Sequence, residues 1–253
     1  MLTVSLLQTD PIWHDPAANR TRLGERLAGL AGQTDLVILP EMFTTGFSMA
    51  AAELAEPHHD SPTRKWMLTQ SAKLNAAITG SVIVEDDGRY FNRLYWVEPE
   101  GRVLHYDKKY RFTLAGEHEH YTAGTERLIV DYRGWKICPL ICYDLRFPEW
   151  SRNEATDPFD LLIYVASWPA PRARDWRTLL EARAIENQCY VAAVNRVGED
   201  GNGLRYRGDS CLIDPGPAGV LATAAGVETT LTAAIDREGL LGMRERLPFL
   251  GDR

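Results

Sequence analysis

The hydrophobic positions of this chain form short apolar runs separated by polar turns, a pattern typical of buried strands. Residues 2–8 predict an opening strand rich in Val and Leu, and residues 35–40 predict a short strand that ends at Glu41. A turn at Arg133-Gly134 predicts a hairpin. The further strand-like runs are residues 77–84, 90–97, 103–106, 128–132, 135–141, 159–166, 190–194, 210–213, 220–223 and 230–235.

Helical spacing of apolar residues appears between these runs, at residues 16–31, 63–75 and 175–188. Residues 237–253 have little apolar periodicity, so we expect a tail that packs on something else. No linker rich in Pro, Gly or Ser interrupts the chain, which favours a single domain over residues 1–253. The order of elements predicts a mixed α/β protein, in which strand-rich and helix-rich layers pack around one core.

Composition and charge narrow the class of protein. The chain has 253 residues, of which 45% are hydrophobic and 25% charged, as in ordinary globular proteins. Its net charge of −7 does not favour binding to nucleic acid or to an anionic membrane. The apolar start at residues 2–7 is too short for a signal peptide, and no run reaches transmembrane length. We therefore expect a cytoplasmic protein.

The cysteines and histidines predict neither a disulfide framework nor a metal site. Cys138 and Cys142 are four residues apart, which is about 13 Å in a strand and too far for a disulfide. The other two cysteines, Cys189 and Cys211, are distant in sequence, and disulfides are rare in this compartment. The six histidines lack a matching cysteine or carboxylate spacing, so no metal is expected.

Cys142 directly follows the predicted strand at residues 135–141 and begins a polar, helix-like segment. Ligands bind at the carboxyl ends of strands in open α/β sheets. A helix amino-terminus there would lower the pKa of a nearby thiol. The alternative is a buried free cysteine with only a packing role.

Two more strands end in residues that could take part in catalysis. Glu41 follows residues 35–40, and the pair Lys108 and Lys109 follows residues 103–106. If these strands lie beside the strand of Cys142, an acid, a base and a thiol converge on one edge. Taken singly, the glutamate could be solvated and the lysine pair could be a charged surface turn.

The combination of the three segments resembles the nitrilase, or carbon–nitrogen hydrolase, superfamily. The signature blocks are similar to LPEMF at residues 39–43, YDKKYRF at residues 106–112 and ICYDLRFPE at residues 141–149. Residues 2–8, 159–167 and 182–187 resemble the family as well, so the similarity covers nearly the whole chain. Within the family, the omega-amidase branch is most similar, on PEMFTTGFS at residues 40–48, AGEH at residues 115–118 and CYDLRFP at residues 142–148.

The resemblance implies a four-layer αββα sandwich and a Glu-Lys-Cys triad that needs no cofactor. Carried over, Glu41 is the general base, Lys108 the oxyanion stabiliser and Cys142 the nucleophile, with the N–H of Tyr143 as a second oxyanion donor. A second glutamate, Glu117, would orient Lys108. The family block commonly reads Lys-x-His-Leu-Phe, whereas this chain has Tyr and Arg in the third and fourth positions. The neighbouring Lys109 leaves open which lysine acts. Because successive strand residues face opposite sides, we expect only one of the two to enter the site.

The branch implies hydrolysis of the side-chain amide of a 2-oxo acid such as 2-oxoglutaramate or 2-oxosuccinamate. The substrate carboxylate would then need a cation, for which Arg172 and Arg174 are the candidates. The side chains that could wall the pocket are Phe47, Phe112 and Trp168. The resemblance also implies a homodimer, formed through the segment near residues 146–152 and the carboxyl-terminal residues.

Three other interpretations remain open. The same triad could act on a different amide, a nitrile or an N-carbamoyl substrate. A papain-like site would use Asn195 and a histidine, but the chain has no Cys-Gly-Ser-Cys-Trp motif. A non-catalytic binding module is the third, and the intact Glu41, Lys108 and Cys142 argue against it.

Overall fold

The computed structural model describes residues 1–252, which form fourteen strands and six α-helices. The strands are β1 (Leu2–Gln8), β2 (Leu36–Ile38), β3 (Glu56–Pro57), β4 (Ala77–Asp86), β5 (Arg89–Val97), β6 (Val103–Asp107), β7 (Val130–Tyr132), β8 (Trp135–Ile141), β9 (Leu161–Ala166), β10 (Tyr190–Asn195), β11 (Val197–Glu199), β12 (Arg205–Ile213), β13 (Val220–Ala225) and β14 (Thr229–Ile235). The helices are α1 (Pro16–Ala28), α2 (Ala51–Leu54), α3 (Pro62–Leu74), α4 (Glu117–His120), α5 (Ala173–Asn187) and α6 (Arg237–Arg246).

The strands form two seven-stranded sheets. The first sheet has the order β14-β1-β2-β4-β5-β6, with β3 paired to β4. The second has the order β11-β12-β10-β9-β8-β7, with β13 paired to β12. In both sheets the central strands, β1-β2-β4 and β8-β9-β10, run parallel.

The main hydrophobic core lies between the two sheets, where side chains such as Leu6 of β1 and Leu140 of β8 are fully buried. Helices α1 and α3 cover the outer face of the first sheet, and α5 and α6 pack against the second. The layers therefore follow the order αββα, which confirms the predicted fold class. None of the helices in residues 1–252 is long and apolar enough to cross a membrane.

The helix ends follow from local capping chemistry. The side chain of Asp15 accepts a hydrogen bond of 3.0 Å from Ala18 N at the start of α1, and Pro16 occupies the first helical position. Helix α3 begins in the same way, with Ser61 accepting from Arg64 N at 3.0 Å. It ends at Asn75 in the left-handed region, with φ of 52°. Both helices were predicted, but α1 stops three residues earlier than expected.

The carboxyl-terminal segment differs from its prediction. Residues 237–246 form α6, which is capped by Asp236 and buries Leu240 against the core of its own chain. Two of its arginines, Arg237 and Arg244, bond the buried carboxylate of Asp160 at 2.7 and 2.9 Å. The expectation of a tail with little to pack on in its own chain was therefore wrong over residues 237–246, while Arg253 lies outside the described residues.

The strands that lead to Glu41, Lys108 and Cys142 do not lie side by side in one sheet, which is the arrangement considered from the sequence. Strands β2 and β6 belong to the first sheet and are separated by β4 and β5, whereas β8 belongs to the second sheet. The three side chains meet because the two sheets pack face to face. The site is thus formed between the sheets.

Candidate active site

Glu41, Lys108 and Glu117 form a buried cluster with side-chain exposures of 0–1%. Lys108 Nζ lies 2.8 Å from Glu41 Oε1, and 3.0 and 2.9 Å from Glu117 Oε1 and Oε2. Burial alone would lower the pKa of the Lys108 ammonium, but the carboxylates of Glu117 and Glu41 raise that pKa above its usual value. Lys108 therefore remains a cation at neutral pH.

Backbone contacts on both sides fix the position of Lys108. Its N–H donates to Asn92 O at 3.0 Å, and its carbonyl accepts from Gly124 N at 3.0 Å. A side chain at position 124 would begin 2.0 Å from Asp107 O, so this close approach requires glycine. The neighbouring Lys109 instead lies over the ring of Trp150, 5.2 Å from its centroid. The structure thus places Lys108, and not Lys109, against the two glutamates.

Glu41 is held from the second sheet. Ser167 N donates to Glu41 Oε2 at 2.9 Å, and the Ser167 hydroxyl donates to Glu41 O at 3.3 Å. The same Ser167 N–H and the Glu41 carboxylate lie within hydrogen-bonding range of the Cys142 thiol. The Glu41 carboxylate therefore lies between the Lys108 ammonium and the Cys142 thiol.

Cys142 begins a 3₁₀ turn, Cys142–Arg146, directly after β8. Its φ of 43° lies in the left-handed region, which is unusual for a residue with a side chain. Burial, and after it the negative charge of Glu41, raise the pKa of the thiol well above its usual value, against the opposing effect of Lys108. The expected lowering of this pKa by a helix amino-terminus was therefore wrong, because burial outweighs it.

Asp144, in the same turn, links the Cys142 segment to the Lys108 segment. Its Oδ2 accepts from Ile141 N at 3.0 Å and from the Tyr106 hydroxyl at 2.7 Å, while Oδ1 accepts from Tyr110 N at 2.9 Å. Burial raises the pKa of Asp144 to about 6, although these three hydrogen bonds oppose the shift. Tyr110 thus has a defined partner despite its departure from the family block.

Cys142 and Lys108 both line a cavity of about 670 Å³. A larger groove of about 790 Å³ lies between α1 and α3 and contains none of the four clustered side chains. Within residues 1–252, no group of three or more His, Cys, Asp or Glu side chains is arranged to hold a metal ion. The predicted wall and oxyanion residues that line the cavity are Phe47, Phe112, Tyr143 and Trp168.

Only one of the two candidate arginines lines the cavity. Arg172 lines the cavity, with its guanidinium 5.2 Å from the ring centroid of Phe112. Arg174 is exposed on α5 and does not line the cavity, so its assignment to the pocket was wrong. Arg146 lines the cavity instead, stacked 4.8 Å over Trp168 and paired with Asp175 at 2.8 Å.

Several side chains at this site were not predicted. Arg146 lay in the quoted block after the nucleophile, so its position in the motif was a usable signal. Asn92 could have been found as a polar residue within the apolar run of β5. Ser167 directly follows β9 and ends the run at residues 159–167 that resembles the family. His14 gave no such signal, because only the packing of a distant loop brings it to the cavity.

The model of the carbon–nitrogen hydrolase family matches residues 3–245, nearly the full length of the chain. The chain belongs to this family. Omega-amidase YafV of Escherichia coli is 48% identical over 252 residues, which are 99% of this chain and 96% of that protein. The 2-oxoglutaramate amidase of Bacillus subtilis is 35% identical, with coverage of 99% and 96%.

A solved structure gives the same fold. XC1258 of Xanthomonas campestris is described as a superfamily member with an arsenic adduct in its active site. It superposes with a TM-score of 0.96 at 48% identity, over 100% of this chain and 97% of that one. Both sheets and their outer helices are therefore those of a carbon–nitrogen hydrolase.

Proposed function

We propose that this chain is an omega-amidase that hydrolyses the side-chain amide of a short 2-oxo acid, with 2-oxoglutaramate or 2-oxosuccinamate as substrate. The observation that carries the proposal is the Glu41 carboxylate, which bonds the Lys108 ammonium and lies within hydrogen-bonding range of the Cys142 thiol, beside a cavity that is also lined by Arg172. The names of the Escherichia coli and Bacillus subtilis relatives support the choice of substrate.

In the first half of the reaction, the thiol of Cys142 attacks the amide carbon while Glu41 takes its proton. The raised pKa of the thiol means that it is protonated before substrate binds, so proton transfer accompanies attack. The tetrahedral oxyanion is stabilised by the Lys108 ammonium and the Tyr143 N–H. Glu41 then returns the proton to the leaving nitrogen, ammonia departs, and a thioester remains on Cys142.

In the second half, Glu41 removes a proton from water as the water attacks the thioester carbonyl. The same donors stabilise the second oxyanion. The carbon–sulfur bond breaks, the thiolate takes the proton from Glu41, and the dicarboxylate leaves. Glu117 keeps Lys108 charged and oriented throughout, through the contacts of 3.0 and 2.9 Å described above.

The charges of the cavity support a substrate with a remote carboxylate. Lys108 is balanced by Glu41 and Glu117, and Asp200 is bonded by the Tyr206 hydroxyl at 2.8 Å. Arg172 has no carboxylate partner among residues 1–252 and therefore is available to a ligand. A guanidinium that binds the carboxylate would hold the amide in near-attack geometry.

An ammonia-release screen tests the proposal. Purified protein is incubated with 2-oxoglutaramate, glutamine, a nitrile and an N-carbamoyl amino acid, with Cys142→Ala as the inactive control. We expect 2-oxoglutaramate to give the highest kcat/KM and Cys142→Ala to give no turnover. Preference for the nitrile or the carbamoyl compound would reject the omega-amidase, and full activity of Cys142→Ala would reject the nucleophile as well.

We further propose a homodimer that works in the cytoplasm. Exposed apolar side chains support the dimer, with Ile185 on α5 at 65% exposure and Phe249 near the carboxyl end at 57%. The four free cysteines support a reducing compartment. Light scattering should give twice the chain mass of 28.5 kDa, and the mass of one chain would exclude the dimer.

A further inference from the structure

Asn92 lies in the middle of β5, is 1% exposed, and bonds both glutamates of the cluster through its side chain. Its Nδ2 donates to Glu41 Oε1 at 2.8 Å and to Glu117 Oε1 at 3.2 Å. Its backbone carbonyl accepts from the backbone N–H of Lys108 at 3.0 Å. Asn92 does not line the cavity, so it acts on a substrate only through these neighbours.

The two glutamates share a single cation. Lys108 lies within 3.0 Å of oxygens from both of them, so one negative charge of the pair is left without a counter-ion. Adjacent carboxylates resist joint ionisation unless further donors stabilise the charged forms. Asn92 supplies one amide hydrogen to each glutamate. Within residues 1–252, only the side chains of Asn92 and Lys108 bond both glutamates.

The orientation of the Asn92 amide is fixed by chemistry, because only its nitrogen can donate to a carboxylate. Its Oδ1 is buried without a hydrogen-bond partner in the described residues, so the amide is oriented by its two bonds to the carboxylates and not by its oxygen. Asn153, also buried, illustrates the contrast. Its Oδ1 accepts from Phe159 N at 2.9 Å and its Nδ2 donates to Phe159 O at 2.9 Å.

The contacts of Asn92 also distinguish the two oxygens of Glu41. Oε1 already accepts from Lys108 and Asn92, whereas Oε2 accepts only from Ser167 N. That N–H also approaches the Cys142 thiol. Oε2 is thus the oxygen with remaining acceptor capacity on the side of the nucleophile.

We propose that Asn92 is a positioning residue that holds the carboxylates of Glu41 and Glu117 side by side and directs Glu41 Oε2 toward the thiol of Cys142. This inference rests on the proposed roles of Glu41 and Cys142. The titratable groups that face the Glu41 carboxylate are Lys108, Glu117, Cys142, Tyr121 and Tyr206.

Asn92→Ala is the direct test, with ammonia release measured from pH 4 to 9. We expect kcat to fall about 10- to 100-fold, the range for loss of a hydrogen bond to a charged group. KM should stay within about two-fold, since Asn92 does not line the cavity. The acid limb of the kcat/KM profile should move to higher pH, because a carboxylate pair that loses a donor binds its proton more tightly.

Asn153→Ala is the matched control for loss of a buried asparagine. It should lower Tm without moving the acid limb. If Asn92→Ala does not fold, the isosteric Asn92→Asp replaces it, and we expect an equal or larger loss of kcat because a third acid group then faces the pair. An unmoved acid limb in a folded Asn92 variant, or retention of half the wild-type kcat, would overturn the inference.

A second measurement does not depend on the identity of the substrate. The rate of alkylation of Cys142 by iodoacetamide, followed by mass spectrometry of its peptide, should fall in Asn92→Ala at neutral pH, because a Glu41 carboxylate that is no longer directed at the thiol accepts its proton less readily. An unchanged rate would also overturn the inference. If Cys142→Ala is inactive but both Asn92 measurements match wild type, only this inference fails and the proposed function stands.

Discussion

Replacement of Arg172 by Met gives the sharpest test of how the substrate is held. Met keeps an unbranched stem against Phe112 and removes only the charge. Arg174→Met is the matched control, because Arg174 lies two residues away but is exposed and outside the cavity. The two variants therefore have the same net charge, and they differ in whether the replaced side chain lines the pocket.

The magnitude follows from the contacts of Arg172. A hydrogen bond between charged groups is worth about 1.5–3 kcal/mol, which corresponds to a loss of about 10- to 150-fold in kcat/KM. The cation–π contact with Phe112, at 5.2 Å, contributes about 0.5–1 kcal/mol to stability in a partly exposed site. Stability should thus change little, while turnover of a charged substrate should change greatly.

The assay compares kcat/KM for 2-oxoglutaramate with that for a neutral amide of the same length. Arg172→Met should lower the first by about 10- to 150-fold and leave the second nearly unchanged. Arg174→Met should match wild type on both substrates. Equal losses on both substrates, or equal losses in both variants, would refute the reasoning. A selective loss in Arg146→Met alone would assign the carboxylate to Arg146.

Two further predictions use neighbouring residues as controls. Lys108→Ala should lower kcat by at least about 10²-fold, as for loss of an oxyanion donor, and Lys109→Ala much less; the reverse ranking in a steady-state assay would contradict the assignment of Lys108. Asp160→Ala leaves two arginines of α6 without their buried partner and should lower the free energy of unfolding by about 3–5 kcal/mol in urea. Asp157→Ala breaks only a surface pair with Lys136 and should cost about 0–1 kcal/mol, so similar losses would argue against anchoring of α6 by Asp160.

Features set by local chemistry were predicted well from the sequence. The hairpin at Arg133 and Gly134 is one example, since both residues have positive φ, 48° and 80°, as a tight two-residue turn requires. The placement of Lys108 and Cys142 is another, because each directly follows a strand within a recognisable motif. The family resemblance then supplied the αββα layers, which no single apolar run could specify.

Features that depend on distant contacts were missed. Helix α6 buries a single hydrophobic residue, Leu240, and is held mainly by the ion pairs of Asp160, so no periodic pattern marks it. Arg172 and Arg174 look alike in sequence, and only the path of the chain brings one of them into the cavity. The assignment of β2 and β8 to different sheets is likewise a property of tertiary packing.

The left-handed backbone of Cys142, with φ of 43°, implies a conflict between stability and turnover at that position. This conformation costs a residue with a side chain about 1–2 kcal/mol, a cost that glycine does not bear. Cys142→Gly relieves this backbone strain and Cys142→Ala does not. Selection for thermal resistance alone would therefore favour loss of the nucleophile, and only selection for catalysis would retain it.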